Sequence, residues 1–166
     1  MPDGLRGLLA LVAAAAFVQS AYYYDRLPDA LASNFDAEGL PNNWSGKFEF
    51  FAVYLVIVVT LGLIVALSDA MIARDPEKRL RVPRAEHWLH PARRDATIRR
   101  VRYFLLWMGI AATAFAVAIA EFVIQANLER PVVLHAAATW LIVGYLGAAF
   151  AATAWFCLGF FRPDRK

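Results

Sequence analysis

The chain has 166 residues, of which 60% are hydrophobic and 19% are charged, and its formal net charge is +3. Soluble domains average about 45–50% apolar and about 25% charged residues, and a chain this short has little interior in which to bury the excess. The composition therefore excludes an ordinary soluble domain and predicts a single integral membrane domain over residues 1–166.

Four long apolar runs predict an all-α fold, a four-helix transmembrane bundle. The spans are expected at about 5–24, 48–72, 102–127 and 132–160. A span needs about 20 apolar residues, because each residue adds about 1.5 Å to a path of about 30 Å through the hydrocarbon. The first run also resembles a signal peptide with a candidate cleavage site at Val18-Gln19-Ser20. We expect this run to stay in the protein as a helix.

The distribution of lysine and arginine predicts the side of the membrane on which each loop lies. Residues 74–102 contain ten of these cations and the tail 162–166 contains three, whereas the loop 25–47 contains two. Loops rich in Lys and Arg stay in the cytoplasm. We therefore expect a multi-pass protein of the bacterial inner (plasma) membrane, with both termini and the central loop 74–101 cytoplasmic and the loop 25–47 outside.

The loop 25–47 is predicted to be an ordered extracytoplasmic cap between the first two helices. A short helix can start at Leu27-Pro28, because proline suits the first helical turn. Asp36 favours a turn, and Gly39 can supply a positive φ angle. The apolar residues of the loop are expected to pack the cap onto the helix ends, and Trp44 is expected to lie at the membrane interface where the second span begins.

Nine residues of this loop carry a resemblance to a known family. They are Leu27, Pro28, Asn34, Phe35, Asp36, Gly39, Pro41, Trp44 and Lys47. Their spacing resembles a bacterial membrane family of unknown function that also forms the N-terminal part of SdpI-type immunity proteins. The stretch VPRAEHWLHPARRDATIRR resembles the cytoplasmic loop of its short, four-span members. The resemblance implies an integral membrane protein and, for the better-known relatives, protection against a secreted toxic peptide. Family members often have His where this chain has Asn34, which argues against a proton or metal role there.

The central basic loop is predicted to be broken by Pro76 and Pro83 and to lie at the membrane surface. Trp88 is expected to anchor it in the headgroup region, where aromatic side chains are enriched. From Pro91 a helix can run without a break into the third span. Five arginines near its start are expected to face anionic lipid headgroups. They are Arg93, Arg94, Arg99, Arg100 and Arg102.

Ionisable groups inside a span are costly and are therefore candidates for function. Asp69 is predicted to be a boundary residue that pairs with Arg74 or a neighbouring cation. Glu121 and Gln125 lie one helical turn apart, and His135 enters the fourth span at a similar depth, so these three are predicted to form one polar cluster. Such a cluster can fix helix register through hydrogen bonds, bind a ligand, transfer protons or bind a metal.

Cofactors, metals and catalytic residues are not predicted. Cys157 is the only cysteine, which excludes an internal disulfide and a Cys-x-x-Cys redox pair. His87 and His90 lack further ligands nearby in sequence, and a haem would need a second histidine inside a span. Glycine-rich phosphate loops and the usual hydrolase motifs are absent from the sequence. The cations lie next to the membrane, so nucleic acid is not an expected partner.

Three functions remain open, and we favour a non-enzymatic binding module of the immunity or sensing type. Its expected partners are membrane lipids and a membrane-active peptide. The first alternative is an accessory subunit of a larger membrane complex, docked through rows of small residues such as Gly144 and Ala148. The second alternative is a proton-coupled carrier or membrane enzyme that uses Glu121 and His135.

Overall fold

The computed structural model describes residues 2–80 and 82–161, so Arg81 and the basic tail lie outside the described residues. The elements in chain order are α1 (Pro2–Tyr24), β1 (Ala30–Phe35), β2 (Pro41–Gly46), α2 (Lys47–Arg74), α3 (Pro76–Arg79), α4 (Ala85–Trp88), α5 (Arg94–Leu128) and α6 (Ala136–Phe161). The chain is mostly helical, as predicted. A two-stranded sheet between α1 and α2 is an addition to the all-α prediction.

Four of the helices, α1, α2, α5 and α6, are long and apolar enough to cross a membrane. They coincide with the four predicted runs, which supports a multi-pass membrane protein. The 35 residues of α5 extend about 52 Å, well beyond a hydrocarbon core of about 30 Å. The predicted extension of the third span toward the basic loop is therefore present, although it begins at Arg94.

The core lies between α1, α2 and α5, which pack against one another along their lengths. One cluster of buried side chains includes Phe51, Val58 and Ile124, and a second includes Leu9 and Leu106. A small residue allows the closest approach of two of these helices. A Cβ atom on Gly109 of α5 would lie only 2.6 Å from a methyl group of Val65 on α2.

The last helix, α6, packs mainly against α5 and leaves most of its surface exposed. Phe104 and Phe115 of α5 stack on Phe156 and Tyr145 of α6, with ring centroids 3.9 Å and 4.1 Å apart. Gly144, where the row of small residues begins, faces open space, because a Cβ atom placed there would have no neighbour within 4 Å. Unlike Gly109, this glycine does not bring two helices together within the described part of the chain.

The connection between α1 and α2 is an antiparallel β-hairpin, so the expectation of a short helix from Leu27-Pro28 is wrong. The strands pair Ala30 with Gly46 and Leu31 with Ser45, and the register shifts next to Ser33. Leu31 and Ala32 of β1 are both buried against the bundle, while Ala30 at the start of the strand is exposed.

The hairpin turn forms as its residues predict. The Asp36 carboxylate accepts hydrogen bonds from the backbone N–H groups of Glu38 at 3.1 Å and Leu40 at 2.7 Å. Gly39 has a φ of 83°, and its carbonyl accepts a 2.8 Å hydrogen bond from the Leu134 N–H. The Trp44 side chain is 53% exposed and does not pack the cap onto the helix ends, while its place at the membrane interface stays a prediction.

Asn127 of α5 joins the hairpin to the bundle. Its Oδ1 accepts from the Ala32 N–H at 2.7 Å, and its Nδ2 donates to the Ala32 carbonyl at 2.9 Å. The side chain is 2% exposed and also donates to the Val123 carbonyl. The amide therefore takes the place of a neighbouring strand for β1, and it satisfies backbone groups that are buried away from water.

At the opposite end of the bundle, Asp69 of α2 is fully buried and joins three helices. Its carboxylate accepts from Arg6 of α1 at 2.5 and 2.7 Å and from Arg102 of α5 at 2.6 and 3.3 Å. The expected pairing of Asp69 with a cation is present, but its partners are Arg6 and Arg102, which are distant in sequence, and not Arg74. We call this end the loop end, and the opposite end the hairpin end.

The five arginines expected to face lipid headgroups lie in different surroundings. Arg102 binds Asp69, and Arg100 lies over the rings of Phe156 and Phe160 at 5.5 and 5.3 Å. Arg93 contacts the His87 ring, Arg94 is half-buried and Arg99 is exposed. The expectation of a common lipid-facing group is therefore wrong for Arg102, whose side chain is 16% exposed.

Trp88 of α4 is attached to the end of α6 and packs against protein, while its expected depth in the headgroup region stays a prediction. The side chain is 8% exposed, and its Nε1–H donates to the Phe160 carbonyl at 2.9 Å. The Trp88 carbonyl accepts from the Thr97 hydroxyl at 2.9 Å. The indole therefore fastens the basic loop to the ends of α5 and α6.

We predict that Asn127→Leu will loosen the hairpin, because the buried N–H and carbonyl of Ala32 lose their partners. Each unsatisfied buried group costs about 1–3 kcal/mol, so we expect a loss of about 2–4 kcal/mol and faster amide exchange in β1. Thermal unfolding in detergent and hydrogen exchange provide the measurements. Asn42→Leu, on an exposed position of the same hairpin, should change neither.

We also predict that Asp69→Asn will destabilise the bundle by about 3 kcal/mol, because Arg6 and Arg102 lose a buried anion. The value is at the low end of the usual range, since Arg6 is 43% exposed. Asp75→Asn is the matched control: Lys78 lowers the pKa of Asp75, but this pair is at the surface. Equal unfolding temperatures of the two variants would contradict the prediction.

Candidate functional site

Glu121 of α5 is the centre of a hydrogen-bond network near the hairpin end. Its Oε1 accepts from the Tyr23 hydroxyl at 2.8 Å and from Gln125 Nε2 at 2.6 Å. Its Oε2 accepts from Gln19 Nε2 at 2.7 Å. All three donors are uncharged, so the carboxylate is oriented without a cation among these partners.

The network continues from α1 to α2 through Gln19. The Tyr54 hydroxyl donates to Gln19 Oε1 at 2.6 Å, while Gln19 Nε2 serves Glu121 and the Val117 carbonyl. Tyr54 donates to one end of the Gln19 amide, and Glu121 accepts from the other end. These two bonds assign the oxygen and the nitrogen of the amide. Three helices are therefore joined through polar side chains at the depth where apolar packing alone provides little specificity.

The structure brings Glu121 and Gln125 together, as predicted, but His135 lies apart. The His135 side chain is exposed, and its Nδ1 accepts a 3.1 Å hydrogen bond from the Ala137 N–H at the start of α6. The bond between Leu134 and Gly39 draws this connection across the hairpin turn. The prediction of one cluster with His135 is wrong, because side chains of α1 and α2 occupy the places around Glu121.

Gln19, Tyr23 and Tyr54 are members of the network that the sequence-based prediction missed. A usable signal was present, because Gln19 and Tyr23 are four residues apart and so share one face of α1. The same spacing relates Glu121 to Gln125 on α5. Two polar pairs with helical spacing in different spans indicate a contact between those helices.

A cavity of about 590 Å³ lies between the hairpin, α2, α5 and α6, and we call it the hairpin cavity. Its polar lining consists of Ser33, Asn34, Asn43, Ser45 and Glu49. Its apolar lining includes Val53, Ile57 and Leu61 of α2, Ala112, Ala116 and Ile119 of α5, and Tyr145 of α6. Its volume is in the range of small-molecule sites, about 300–1,000 Å³.

The polar and apolar linings are separated along the bundle axis. The hairpin and Glu49 provide the polar end, and the apolar lining extends along α2 to Leu61, about 18 Å further on. Tyr54 contributes to the wall while its hydroxyl serves the Glu121 network. The cavity thus has the polarity of an amphiphile with one polar head and one apolar chain.

Ser45 provides an unused polar group at this end of the cavity. Its hydroxyl oxygen is buried and has no hydrogen-bond partner within the described residues. A buried hydroxyl without a partner costs about 1–3 kcal/mol. A ligand group that bonded to Ser45 would recover part of that cost.

The residues of the predicted loop motif have several roles in the structure. Asn34 lines the hairpin cavity, and Leu27 belongs to the core cluster. Lys47 forms a 2.9 Å ion pair with Asp29, which closes the hairpin where α2 begins. Phe35 pairs with Pro41 at the end of the ladder next to the turn. The motif therefore shapes the hairpin, and Asn34 is its member that lines the cavity.

A smaller cleft at the loop end contains His87 and His90. It is also lined by Glu86, Ala92 and Arg93. Among residues 2–80 and 82–161, no three His, Cys, Asp or Glu side chains are grouped closely enough for a metal ion.

We predict that Tyr54→Phe will destabilise the bundle by about 0.6–2 kcal/mol, because Gln19 loses a donor within the membrane. Tyr145→Phe is the matched control, since Tyr145 also lines the cavity but stacks on Phe115. Thermal unfolding in detergent should separate the two variants. Identical unfolding would show that the Tyr54 hydroxyl contributes nothing to stability.

The comparison with protein families identifies a match to part of the chain. Residues 11–58 match the model of a domain of unknown function (DUF1648). The matched segment covers most of α1, the hairpin and the first turns of α2, and so includes Gln19, Tyr23 and Tyr54. No curated protein and no solved structure matches the chain. The chain therefore contains a segment similar to a domain of unknown function in a protein with four candidate membrane spans.

Proposed function

We propose that the protein is a non-enzymatic membrane binding module that takes a single-chain amphiphile into the hairpin cavity. The observation that carries this proposal is the separation of polar and apolar lining along that cavity. The head of the ligand would lie under the hairpin, and its chain would lie between α2, α5 and α6. A binding or sensing role requires no reacting group, and the proposal includes none.

The polar end must decide which amphiphile binds. An alkyl chain gains little on leaving the bilayer for the cavity, because lipid tails are as apolar as the cavity wall. Hydrogen bonds and charge at the head therefore carry the selectivity. Asn34, Asn43 and Ser45 offer donors and acceptors to that head.

The charge at the polar end favours a neutral or cationic head. Glu49 is the only Asp, Glu, Lys or Arg among the lining residues, and it is exposed. The neighbouring cation, Lys47, is paired with Asp29. A hydroxyl or ammonium head fits this surrounding, whereas a carboxylate or phosphate head would meet an uncompensated anion.

The orientation of the protein is part of the proposal. The charge distribution supports a bacterial inner membrane protein with its hairpin end outside and its termini in the cytoplasm. The exposed cations Arg74, Arg84 and Arg99 at the loop end would then lie near anionic headgroups. The hairpin cavity would then face membrane-active molecules that arrive from outside. An immunity role like that of SdpI-type proteins would require access from that side.

Native mass spectrometry of the purified protein tests the choice of ligand. Hexadecylamine, hexadecylglycerol and hexadecanoic acid share one alkyl chain and differ in their heads. We expect the amine and the glycerol ether to bind at least about tenfold more tightly than the acid, because the acid places a second anion beside Glu49. Tenfold corresponds to a difference of about 1.4 kcal/mol in binding free energy. Equal binding of all three would overturn the proposal. Glu49→Gln should weaken the amine and leave the glycerol ether unchanged.

A pair of alanine variants tests the location of the ligand. Ala112→Phe fills the apolar part of the cavity, so we expect about a tenfold loss of binding for every ligand. Ala114→Phe, at an exposed position on the same helix, is the matched control and should bind normally. Unchanged binding by Ala112→Phe would place the ligand elsewhere.

A further inference from the structure

A second cleft, of about 560 Å³, follows the surface of α1 away from the hairpin cavity, and we call it the Glu121 groove. Its lining residues are Leu11, Ala14, Ala15, Val18, Gln19, Tyr22, Tyr23 and Glu121. The groove extends about 16 Å from Leu11 to Tyr22, which is three turns of helix. Glu121 is the single Asp, Glu, Lys or Arg among these residues.

The carboxylate of Glu121 lies deep in the span and is not paired with a cation among the described residues. It is about 10 Å below the end of α5 at Leu128. Its hydrogen-bond donors are the neutral side chains of Gln19, Tyr23 and Gln125. Three donors leave part of the acceptor capacity of the carboxylate unused. Asp69, in contrast, binds two arginines.

We propose that the Glu121 groove binds a transmembrane helix of another protein that carries a lysine or arginine at the depth of Glu121. Charge complementarity argues for the cation, because an intramembrane acid normally faces a partner of opposite charge. Ala14 and Ala15 in the groove wall permit close approach of a second helix. At this depth no water is present to bond to the backbone, and a helix satisfies its own backbone hydrogen bonds.

A second copy of this chain does not fit the groove. The described cations of the four long helices lie near helix ends: Arg6 and Arg102 bind Asp69 at the loop end, and Lys47 begins α2. The fourth long helix, α6, contains no Lys or Arg. The described helices therefore present no cation at the depth of Glu121, so the partner is a different polypeptide. This inference is independent of the proposed ligand of the hairpin cavity.

Energy transfer between labelled molecules in phosphatidylcholine vesicles tests the proposal. The probe is a synthetic Leu-Ala transmembrane helix with one lysine about 10 Å from its end, and a helix with leucine in that place is the reference. We expect the lysine helix to associate at least about tenfold more tightly with the protein. Glu121→Gln should remove the difference, and Glu129→Gln, at an exposed position after α5, should preserve it. Equal association of both helices would overturn the proposal.

Variants that fill the groove test the proposal even if Glu121→Gln disturbs folding. Ala15→Trp occupies the groove while every side chain of the hydrogen-bond network is kept, and it should abolish association. Ala10→Trp, at an exposed position of α1 outside the groove, should bind the lysine helix normally. Association that survives Ala15→Trp would overturn the proposal. Self-association of the protein that depends on Glu121 would show that a second copy is the occupant and would also overturn it.

Discussion

Asp69 and its two arginines fix how the three central helices are arranged. In a bilayer, apolar contacts between helices gain little over contacts with lipid, so register depends on polar contacts and close packing. Arg6, Asp69 and Arg102 provide such a contact at the loop end. The Glu121 network provides it at the other end, about 28 Å further along α5. Two polar contacts at that distance prevent α1, α2 and α5 from sliding or rotating.

The hairpin completes this arrangement and leaves α6 aside. Asn127 binds β1, while Leu31 enters the core between the helix ends. The hairpin therefore covers the ends of the central helices, with β1 on α5 and α2 and β2 on α2. Because α6 meets α5 largely through stacked aromatic rings, a space remains between α2 and α6. The hairpin cavity is that space, with polar hairpin residues above it.

Hydropathy was sufficient to predict the four long helices, the mostly helical fold and the extension of α5, because these follow from local composition. The hairpin was missed because Leu27-Pro28 fits both a helix start and a strand start, and tertiary contacts with Asn127 decide between them. Long-range pairing explains the other errors. Arg102 was expected to face lipid, and Asp69 to bind Arg74 or a neighbouring cation. The sequence does not indicate that Arg6, 63 residues before Asp69, lies next to it in the fold. Glu121 and Gln125 were predictable since one helix carries both, whereas His135 belongs to a connection whose path the hairpin turn determines.

The helix α6 connects the hairpin cavity to the basic loop at the opposite end of the bundle. Tyr145 forms part of the cavity wall, and Phe160, about 22 Å away on the same helix, accepts the indole hydrogen bond of Trp88. A continuous helix transmits tilt along its whole length. An occupant that moved Tyr145 outward would therefore act on the contact between Phe160 and the basic loop, because one continuous helix carries both residues.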